Sequence, residues 1–364
     1  MSFPIQITPE KAIHELTEIN KKVVKGVEAL SRLREDDVQV GTAPKELVFQ
    51  EGKLKLYRYT PVVKQPFKIP VLVSYALVNR FMVADLQEDR SMIRNLLKEG
   101  IDVYLIDWGD PTRKDRWLTL DDYVNDFLDT CIDFVREKHD LEAINLLGIC
   151  QGGTMAACYA ALHPEKIKNL VLTVTPIDFH ADLEEENEEF GLLNVWSRHM
   201  DIDLMVDSLG NIPAELLNFS FMLIRPMSLN IRKYTDLVDI LDNEKSLMNF
   251  LRMEKWLFEG PDHAGEAYRQ FIKEFFQENK LIKNEIELGG RRVDLGNVTM
   301  PVLNVYANQD NLVPPKSTQA LARYVGTKDY SELEIPTGHI GLYVSGKSQK
   351  ILAPGIANWL KERG

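Results

Sequence analysis

The 364-residue sequence has few cysteines, no long apolar run and no excess of basic residues, and each of these absences excludes a class of protein. Its cysteines, Cys131, Cys150 and Cys158, are an odd number without a CxxC spacing, which argues against a disulfide framework and against a zinc site. We therefore expect reduced thiols and no metal. With 43 Lys and Arg against 55 Asp and Glu, the formal net charge is −12, so binding of nucleic acid through phosphate neutralisation is not expected.

No apolar run approaches the roughly 20 residues that span a bilayer. The first residues, MSFPIQITPEKAIHEL, lack a basic segment followed by an apolar one, which a secretory signal needs. We therefore expect no transmembrane segment and a cytoplasmic protein. At 45% hydrophobic residues, the chain can bury a large core.

Residues 1–40 predict an amphipathic leading helix. Apolar residues recur at helical spacing between Thr8, a candidate cap, and Arg34, with Pro9 at the first helical position. The apolar stripe either packs on the helix's own domain or docks a partner. The first alternative is favoured because apolar stripes generally face a core.

Residues 41–177 and 300–364 predict an α/β core. In residues 45–59, apolar and polar residues alternate on either side of Glu51-Gly52, which is typical of a β-hairpin. Beyond it, short apolar strands alternate with helices, which is typical of a mostly parallel sheet with helices on both faces. The predicted strands are 69–75, 103–107, 143–149, 170–174, 302–306 and 333–335, and the predicted helices are 89–98, 120–138, 154–162 and 316–324.

Between residues 178 and 299 this alternation stops, and the sequence becomes helical, aromatic and charged. We interpret the segment as a helical cap inserted over the carboxyl ends of the strands, where open parallel sheets bind ligands. Its acidic cluster at 184–189 is expected to be a solvated loop.

The hexapeptide GICQGG (148–153) lies between a predicted strand and a predicted helix. A sharp turn there, with small residues two positions before and after its centre, is a nucleophile elbow, here with Cys150 as the nucleophile and Gly148 and Gly152 as the small residues. The motif alone leaves roughly even odds between a reactive thiol and one that is simply buried.

A thiol nucleophile needs a base, and in the α/β-hydrolase order an acid and then a histidine follow the nucleophile. His339 is the one histidine of seven on a loop after the last predicted strand. Asp310 follows the strand at 302–306 and can orient His339. Asp178, after the strand at 170–174, is the competing acid, although the order of the motif favours Asp310. Three members in the right order predict covalent acyl transfer.

An oxyanion hole needs two backbone N–H groups, which we assign to Gln151 and to Leu77 or Val78. Other candidates are better explained as structural or surface residues. These are Cys131 and Cys158, the remaining histidines (His14, His139, His163, His180, His199 and His263), and the basic residues Arg80, Arg90, Arg225, Arg232 and Lys233.

The sequence resembles the polyhydroxyalkanoate (polyhydroxybutyrate) synthases over nearly its whole length. Matching segments include YALVNR (75–80), VYLIDWG (103–109), NLLGICQGG (145–153), FLRMEKW (250–256) and PTGHIGLYVSGK (336–347). It is most similar to the catalytic subunit of the two-subunit, short-chain class (class III), because the single-subunit synthases carry a long additional amino-terminal region.

This resemblance implies an α/β-hydrolase fold in which Cys150 carries the acyl group, His339 is the base and Asp310 assists. The implied substrate is a 3-hydroxyacyl-coenzyme A thioester, with 3-hydroxybutyryl as the expected unit, and the product is a polyester, with no cofactor. The resemblance also implies a non-catalytic second synthase subunit and association with polymer granules in the cytoplasm, and it allows a homodimer.

Two alternative functions stay open. One is a cysteine-dependent thioesterase or hydrolase of the same fold, and the other is a catalytically silent scaffold that coats granules.

Overall fold

The computed structural model describes residues 9–181, 197–224 and 233–364. Within them, a sheet of eight strands forms the centre of the molecule. The strands are β1 (Lys45–Glu51), β2 (Leu54–Tyr59), β3 (Val71–Ser74), β4 (Val103–Asp107), β5 (Ile144–Ile149), β6 (Ile167–Thr173), β7 (Val302–Ala307) and β8 (Tyr330–Ile335).

The sheet has the strand order β1-β2-β4-β3-β5-β6-β7-β8. β2 pairs antiparallel with β1 and with β4, and the other neighbours pair in parallel. Every residue of β3, β5 and β7 is buried, as expected for central parallel strands that are covered on both faces. The predicted hairpin is confirmed, and Gly52 at its turn has φ +56°, a conformation that glycine adopts without strain.

The helices outside the insertion are α1 (Pro9–Arg32), α2 (Met92–Lys98), α3 (Asp129–His139), α4 (Gln151–Leu162), α10 (Pro315–Gln319), α11 (Gly341–Val344) and α12 (Ser348–Lys361). A π-helical turn, Asp122–Leu128, precedes α3. On one face of the sheet, α3 and α4 pack against side chains such as Leu72 and Leu146. On the opposite face, α2 and α12 pack against Val73 and Leu147. The predicted α/β-hydrolase architecture, a mostly parallel sheet with helices on both faces, is confirmed.

Residues 178–299, here called the insertion, enter the chain between β6 and β7. Their described helices are α5 (Ile202–Leu209), α6 (Ala214–Ile224), α7 (Lys233–Ile240), α8 (Glu244–Phe258) and α9 (Gly265–Gln270), which continues into the π-helical Phe271–Gln277. The insertion has a small apolar core of its own around Val206, Ile212 and Ile272. The acidic cluster at 184–189 lies outside the described residues, and the division of the chain into leading helix, core and cap stays a prediction.

The apolar side chains of the leading helix α1 are more exposed than the sequence predicts. Thr8, its predicted cap, lies outside the described residues. Much of the apolar stripe is exposed, with Ile13 at 65%, Leu16 at 61% and Val27 at 59%. α1 contacts the insertion through Gly26, which lies against Leu241. α1 therefore folds back onto the insertion, as the favoured alternative expected, but the side chains of Ile13, Leu16 and Val27 stay exposed.

In the part of the chain that the structure describes, no helix is both long enough and apolar enough to cross a membrane.

Candidate active site

The predicted elbow lies where β5 ends and α4 begins. Cys150 occupies the residue between them, with φ +53° and ψ −125°, a backbone conformation that costs energy for a non-glycine residue. Its N–H donates to Thr173 O at 3.0 Å, and its carbonyl accepts from Gly153 N at 2.8 Å. These bonds to β6 and α4 hold the strained turn in place.

Small residues around Cys150 are required by close packing. A Cβ on Gly148 would overlap Gly153 Cα, and a Cβ on Gly152 would overlap the backbone of Ser74 and Tyr75. The strand and helix approach here as a nucleophile elbow requires. The backbone therefore matches the elbow predicted from the sequence.

Asp310 and His339 lie on the loops that follow β7 and β8. His339 Nδ1 is 2.7 Å from Asp310 Oδ2, and the other carboxylate oxygen accepts from Leu312 N and Val313 N at 2.9 Å each. Because a carboxylate can only accept, Nδ1 carries the proton and Nε2 is left to interact with the Cys150 side chain. Asp310 is 1% exposed, so this pair is shielded from water.

Electrostatics favour the charged form of His339. Burial of the imidazole opposes its protonation, but the charges of Asp310 and Cys150 outweigh burial and raise the pKa of His339 to about 10. An imidazolium beside the Cys150 sulfur stabilises a thiolate, which is the nucleophilic form of cysteine.

The competing acid, Asp178, has other partners. Its Oδ1 accepts from Asn279 Nδ2 at 2.9 Å and from His180 N at 3.0 Å. Asp178 and both partners belong to the insertion, so this carboxylate holds the start of the insertion against its later part, whereas Asp310 contacts the histidine.

The oxyanion loop (residues 75–80) follows β3 and passes beside the elbow. Leu77 N donates to Gln151 Oε1 at 3.0 Å, so this N–H is already in use. Val78 and Cys150 both line the same cavity. Of the two loop residues predicted as oxyanion donors, Val78 is the one compatible with this hydrogen bonding.

A cavity of about 850 Å³ opens above Cys150 and His339. Its size is within the range of about 300–1,000 Å³ that is common for ligand pockets. Most of its lining is apolar and comes from the insertion, including Leu217, Phe221, Phe250, Met253, Leu257 and Phe271. The arrangement can enclose an acyl group and keep water from it.

The other cysteines are unsuited to catalysis. Cys131 and Cys158 are 0% and 1% exposed, and burial raises the pKa of each thiol to about 12. They are packing residues, as predicted.

Several candidate basic residues have protein partners. Arg80 pairs with Asp110, Arg90 Nη1 donates to Val344 O, and Lys233 pairs with Glu254. Arg225 and Arg232 lie outside the described residues. Among residues 9–181, 197–224 and 233–364, no group of three or more histidine, cysteine or carboxylate side chains is placed to hold a metal ion.

One feature of the site is not predicted by the sequence, the contact between the side chains of Gln151 and His263. His263, which the sequence predicts to be structural, is 1% exposed and lines the cavity, and its Nε2 lies 3.4 Å from Gln151 Nε2. The 112 positions between the two residues leave no local pattern that could have linked them.

Comparisons with known proteins agree with this architecture. The alpha/beta hydrolase fold family matches residues 75–345, and the poly-beta-hydroxybutyrate polymerase (PhaC) N-terminus family matches residues 18–96. The poly(3-hydroxyalkanoate) polymerase subunit PhaC of Synechocystis is 52% identical over 364 residues, which is 100% of this chain and 96% of that protein. The chain belongs to the poly(3-hydroxyalkanoate) polymerase family. The polymerase subunit of Allochromatium vinosum is 50% identical over 363 residues, which is 99% of this chain and 100% of that protein.

Solved structures place the polymerase chain among α/β hydrolases by fold. A monoacylglycerol lipase of Paleococcus ferrophilus superposes with a TM-score of 0.51 at 15% identity, covering 86% of this chain and 100% of that one. A candidate lipase of Sulfolobus solfataricus superposes with a TM-score of 0.54 at 13% identity, covering 88% of this chain and 99% of that one. At these identities the likeness extends to the fold alone.

Proposed function

We propose that this chain is the catalytic subunit of a poly(3-hydroxyalkanoate) polymerase and builds its polyester through an acyl-enzyme on Cys150. Its membership of the polymerase family makes it an acyltransferase. The observation that carries the mechanism is the convergence of a strained, cavity-lining Cys150 with His339, which Asp310 holds through a 2.7 Å hydrogen bond.

In the first step, the Cys150 thiolate attacks the carbonyl carbon of a 3-hydroxyacyl-coenzyme A thioester. The carbon–sulfur bond to coenzyme A breaks, and the leaving thiolate takes the proton from His339 Nε2. Exchange of one thioester for another is nearly balanced in energy, so the acyl group on Cys150 stays activated. The pKa of His339, which is raised to about 10, supports a proton being present for the leaving group at neutral pH.

In the second step, the neutral His339 removes the proton from a 3-hydroxyl group of an incoming unit or chain end. The hydroxyl oxygen attacks the acyl carbon, an ester bond forms, and the bond to Cys150 Sγ breaks. The bond from Asp310 to His339 Nδ1 supports an orienting role for this acid over direct action on the hydroxyl.

Two further features of the site support the proposed acyl transfer. The backbone N–H groups of Gln151 and Val78 are proposed to stabilise the tetrahedral oxyanion. The apolar lining above Cys150 limits the access of water to the acyl-enzyme.

The remaining assignments are proposals of the same kind. The substrate is a 3-hydroxyacyl-coenzyme A, with 3-hydroxybutyryl as the expected unit, and the reaction needs no cofactor. The relatives named above are called subunits, which supports a second, non-catalytic synthase subunit. The polymer product supports association of the protein with granules in the cytoplasm.

The mechanism is tested with 3-hydroxybutyryl-coenzyme A and the candidate partner subunit, by measuring the release of coenzyme A and the sedimentation of polymer. Cys150→Ala is expected to lose polymer formation by several orders of magnitude, because the acyl carrier is removed. Cys158→Ala is the matched control, since it deletes a buried thiol about two turns along α4 from Cys150 and is expected to retain polymer formation.

Each alternative function predicts a different product. Soluble 3-hydroxy acid without polymer would favour a thioesterase or hydrolase. Failure of the wild type to release coenzyme A would favour a silent scaffold. Release at the wild-type rate by Cys150→Ala would contradict the nucleophile assignment.

A further inference from the structure

The oxyanion loop is joined to the elbow and to the insertion by a chain of hydrogen bonds. Leu77 N–H donates to Gln151 Oε1 at 3.0 Å, and Gln151 Nε2 lies 3.4 Å from His263 Nε2. His263 Nδ1 lies 3.0 Å from Ala264 O. These hydrogen bonds thus connect the loop after β3 with the first residue of α4, and α4 with a segment of the insertion more than a hundred residues further along the sequence.

Hydrogen-bond chemistry allows only one arrangement of these groups when His263 is neutral. The Ala264 carbonyl can only accept, so His263 Nδ1 carries the proton and Nε2 is an acceptor. The Gln151 amide nitrogen must then donate to Nε2, which directs the amide oxygen towards Leu77 N–H. Burial lowers the pKa of His263 to about 4, so the neutral form persists at neutral pH.

The segment that carries His263 is itself held in place. His263 and Ile212 exchange two backbone hydrogen bonds of 2.9 Å. The same stretch of the insertion contacts the far end of the oxyanion loop. Trp256 Nε1 donates to Arg80 O at 2.6 Å, and Arg80 Nε donates to Glu259 O at 2.6 Å.

The loop has room to shift if these contacts are lost. Behind it lies a cavity of about 30 Å³, lined by Leu77, Asn79, Trp108 and His263 among others. A cavity of this size is large enough to hold a water molecule. Asn79 also has φ +58°, so the loop turns through a left-handed residue, a conformation that asparagine tolerates better than most residues.

We propose that Gln151 and His263 are positioning residues that hold the oxyanion loop, so that the insertion sets the direction in which Val78 N–H points. This inference rests on the proposed acyl-enzyme mechanism. Neither side chain is assigned contact with the reacting atoms. Gln151 contributes its backbone N–H to the oxyanion hole, and its side chain transmits the position of His263 to Leu77.

The test compares two reactions of Cys150 in the presence of the candidate partner subunit. Alkylation by iodoacetamide reports the thiolate and needs no oxyanion hole. Single-turnover acylation by 3-hydroxybutyryl-coenzyme A needs both the thiolate and the oxyanion hole, and it is measured by mass spectrometry. Gln151→Met and His263→Phe are expected to acylate about tenfold or more slowly than the wild type, since the loss of one oxyanion donor typically costs about 10²–10³-fold. Both variants are expected to alkylate within about twofold of the wild-type rate.

A conservative variant and a matched control separate positioning from general stability. His263→Gln keeps an acceptor at the distal position of the side chain and is expected to recover most of the acylation rate. His180→Phe removes a half-buried histidine of the insertion, which contacts Phe276 O at 2.8 Å, and is expected to acylate at the wild-type rate.

Several results would overturn the proposal. These are acylation at the wild-type rate in both Gln151→Met and His263→Phe, a parallel loss of alkylation and acylation, misfolding of both variants by circular dichroism, or a folded His263→Gln as slow as His263→Phe. If the wild type is alkylated but never acylated, the acyl-enzyme mechanism fails first, and that outcome is distinct from a failure confined to the variants.

Discussion

The proposed reactivity of Cys150 depends on single side chains and their charges. Cys131, Cys150 and Cys158 have the same chemistry, but only Cys150 lies beside an imidazole and a cavity. Burial without a positive partner raises the pKa of the other two thiols to about 12. The difference between the proposed nucleophile and the two packing residues therefore comes from the environment of each thiol.

The charge of Asp310 should control the pH dependence of Cys150. The pKa of His339 is raised, so the imidazolium is present below about pH 10 and is lost as the pH rises through that value. Asp310→Asn removes an attractive charge, lowers the pKa of His339 and leaves Cys150 without its counter-ion at neutral pH. We expect iodoacetamide alkylation of Cys150 at pH 7 to be about tenfold or more slower in Asp310→Asn than in the wild type. The difference should narrow as the pH rises towards 10, where the wild type also loses the imidazolium.

Asp178→Asn is the matched control for this experiment. Its carboxylate bonds to Asn279 and His180, so its removal should leave the alkylation profile of Cys150 unchanged. A profile in Asp310→Asn identical to that of the wild type would contradict the assignment of the acid.

At the scale of the element, the elbow depends on how closely β5, α4 and the start of the oxyanion loop approach one another. Gly148 and Gly152 sit where added atoms would meet backbone, which cannot move aside as a flexible side chain can. Between these two glycines Cys150 has a positive φ, and its residue lines the cavity. The strain in the turn is thus part of how the nucleophile is presented.

Gly152→Ala should destabilise the protein and disturb the elbow. The new Cβ would overlap the backbone of Ser74 and Tyr75, and overpacking of this kind typically costs about 1–3 kcal/mol of the free energy of unfolding. Urea denaturation measures this change. Gly346→Ala is the control, because no atom lies within 4 Å of its Cβ position, and it should stay within about 0.5 kcal/mol of the wild type. Equal stability of the two variants would mean that the close approach at the elbow is not rigid.

At the scale of the whole molecule, the site is assembled from distant parts of one chain. β5, β7 and β8 bring Cys150, Asp310 and His339 to one edge of the sheet, and the insertion supplies most of the apolar lining. His263 is part of this assembly because burial between the insertion and the core keeps its imidazole neutral. The folded molecule therefore has a built-in sensitivity to acid.

The stability of the protein should fall as the pH is lowered from 6.5 towards 4, in part through His263. The folded-state pKa is depressed to about 4 from 6.5, so the contribution of His263 is present above pH 6.5 and is lost as the pH falls through the folded-state value. His263→Gln does not titrate, so its free energy of unfolding should decline less steeply, by up to about 1 kcal/mol per pH unit. Urea denaturation at several pH values in this window measures both slopes, and identical slopes would contradict the prediction.

Elements and active-site order could be predicted from the sequence because they rest on local patterns. Apolar runs predicted the position of every strand from β3 to β8, with errors of a few residues at the ends, because buried parallel strands need continuous apolar sequence. The elbow was predictable for the same reason, since its steric requirements fall on a few consecutive residues. The order of nucleophile, acid and base then singled out Cys150, Asp310 and His339 from the candidates.

Only the tertiary structure could decide questions that depend on contacts between distant residues. The bond between His339 and Asp310 spans 29 positions, and the bond from Leu77 N to Gln151 spans 74. These two contacts favour Asp310 over Asp178 and occupy the N–H of Leu77. The exposure of Leu16 and Val27 on α1 likewise depends on what packs nearby, which helical periodicity does not specify. Local sequence determines the elements and their order, whereas hydrogen bonds and burial across the fold decide which of its residues act together.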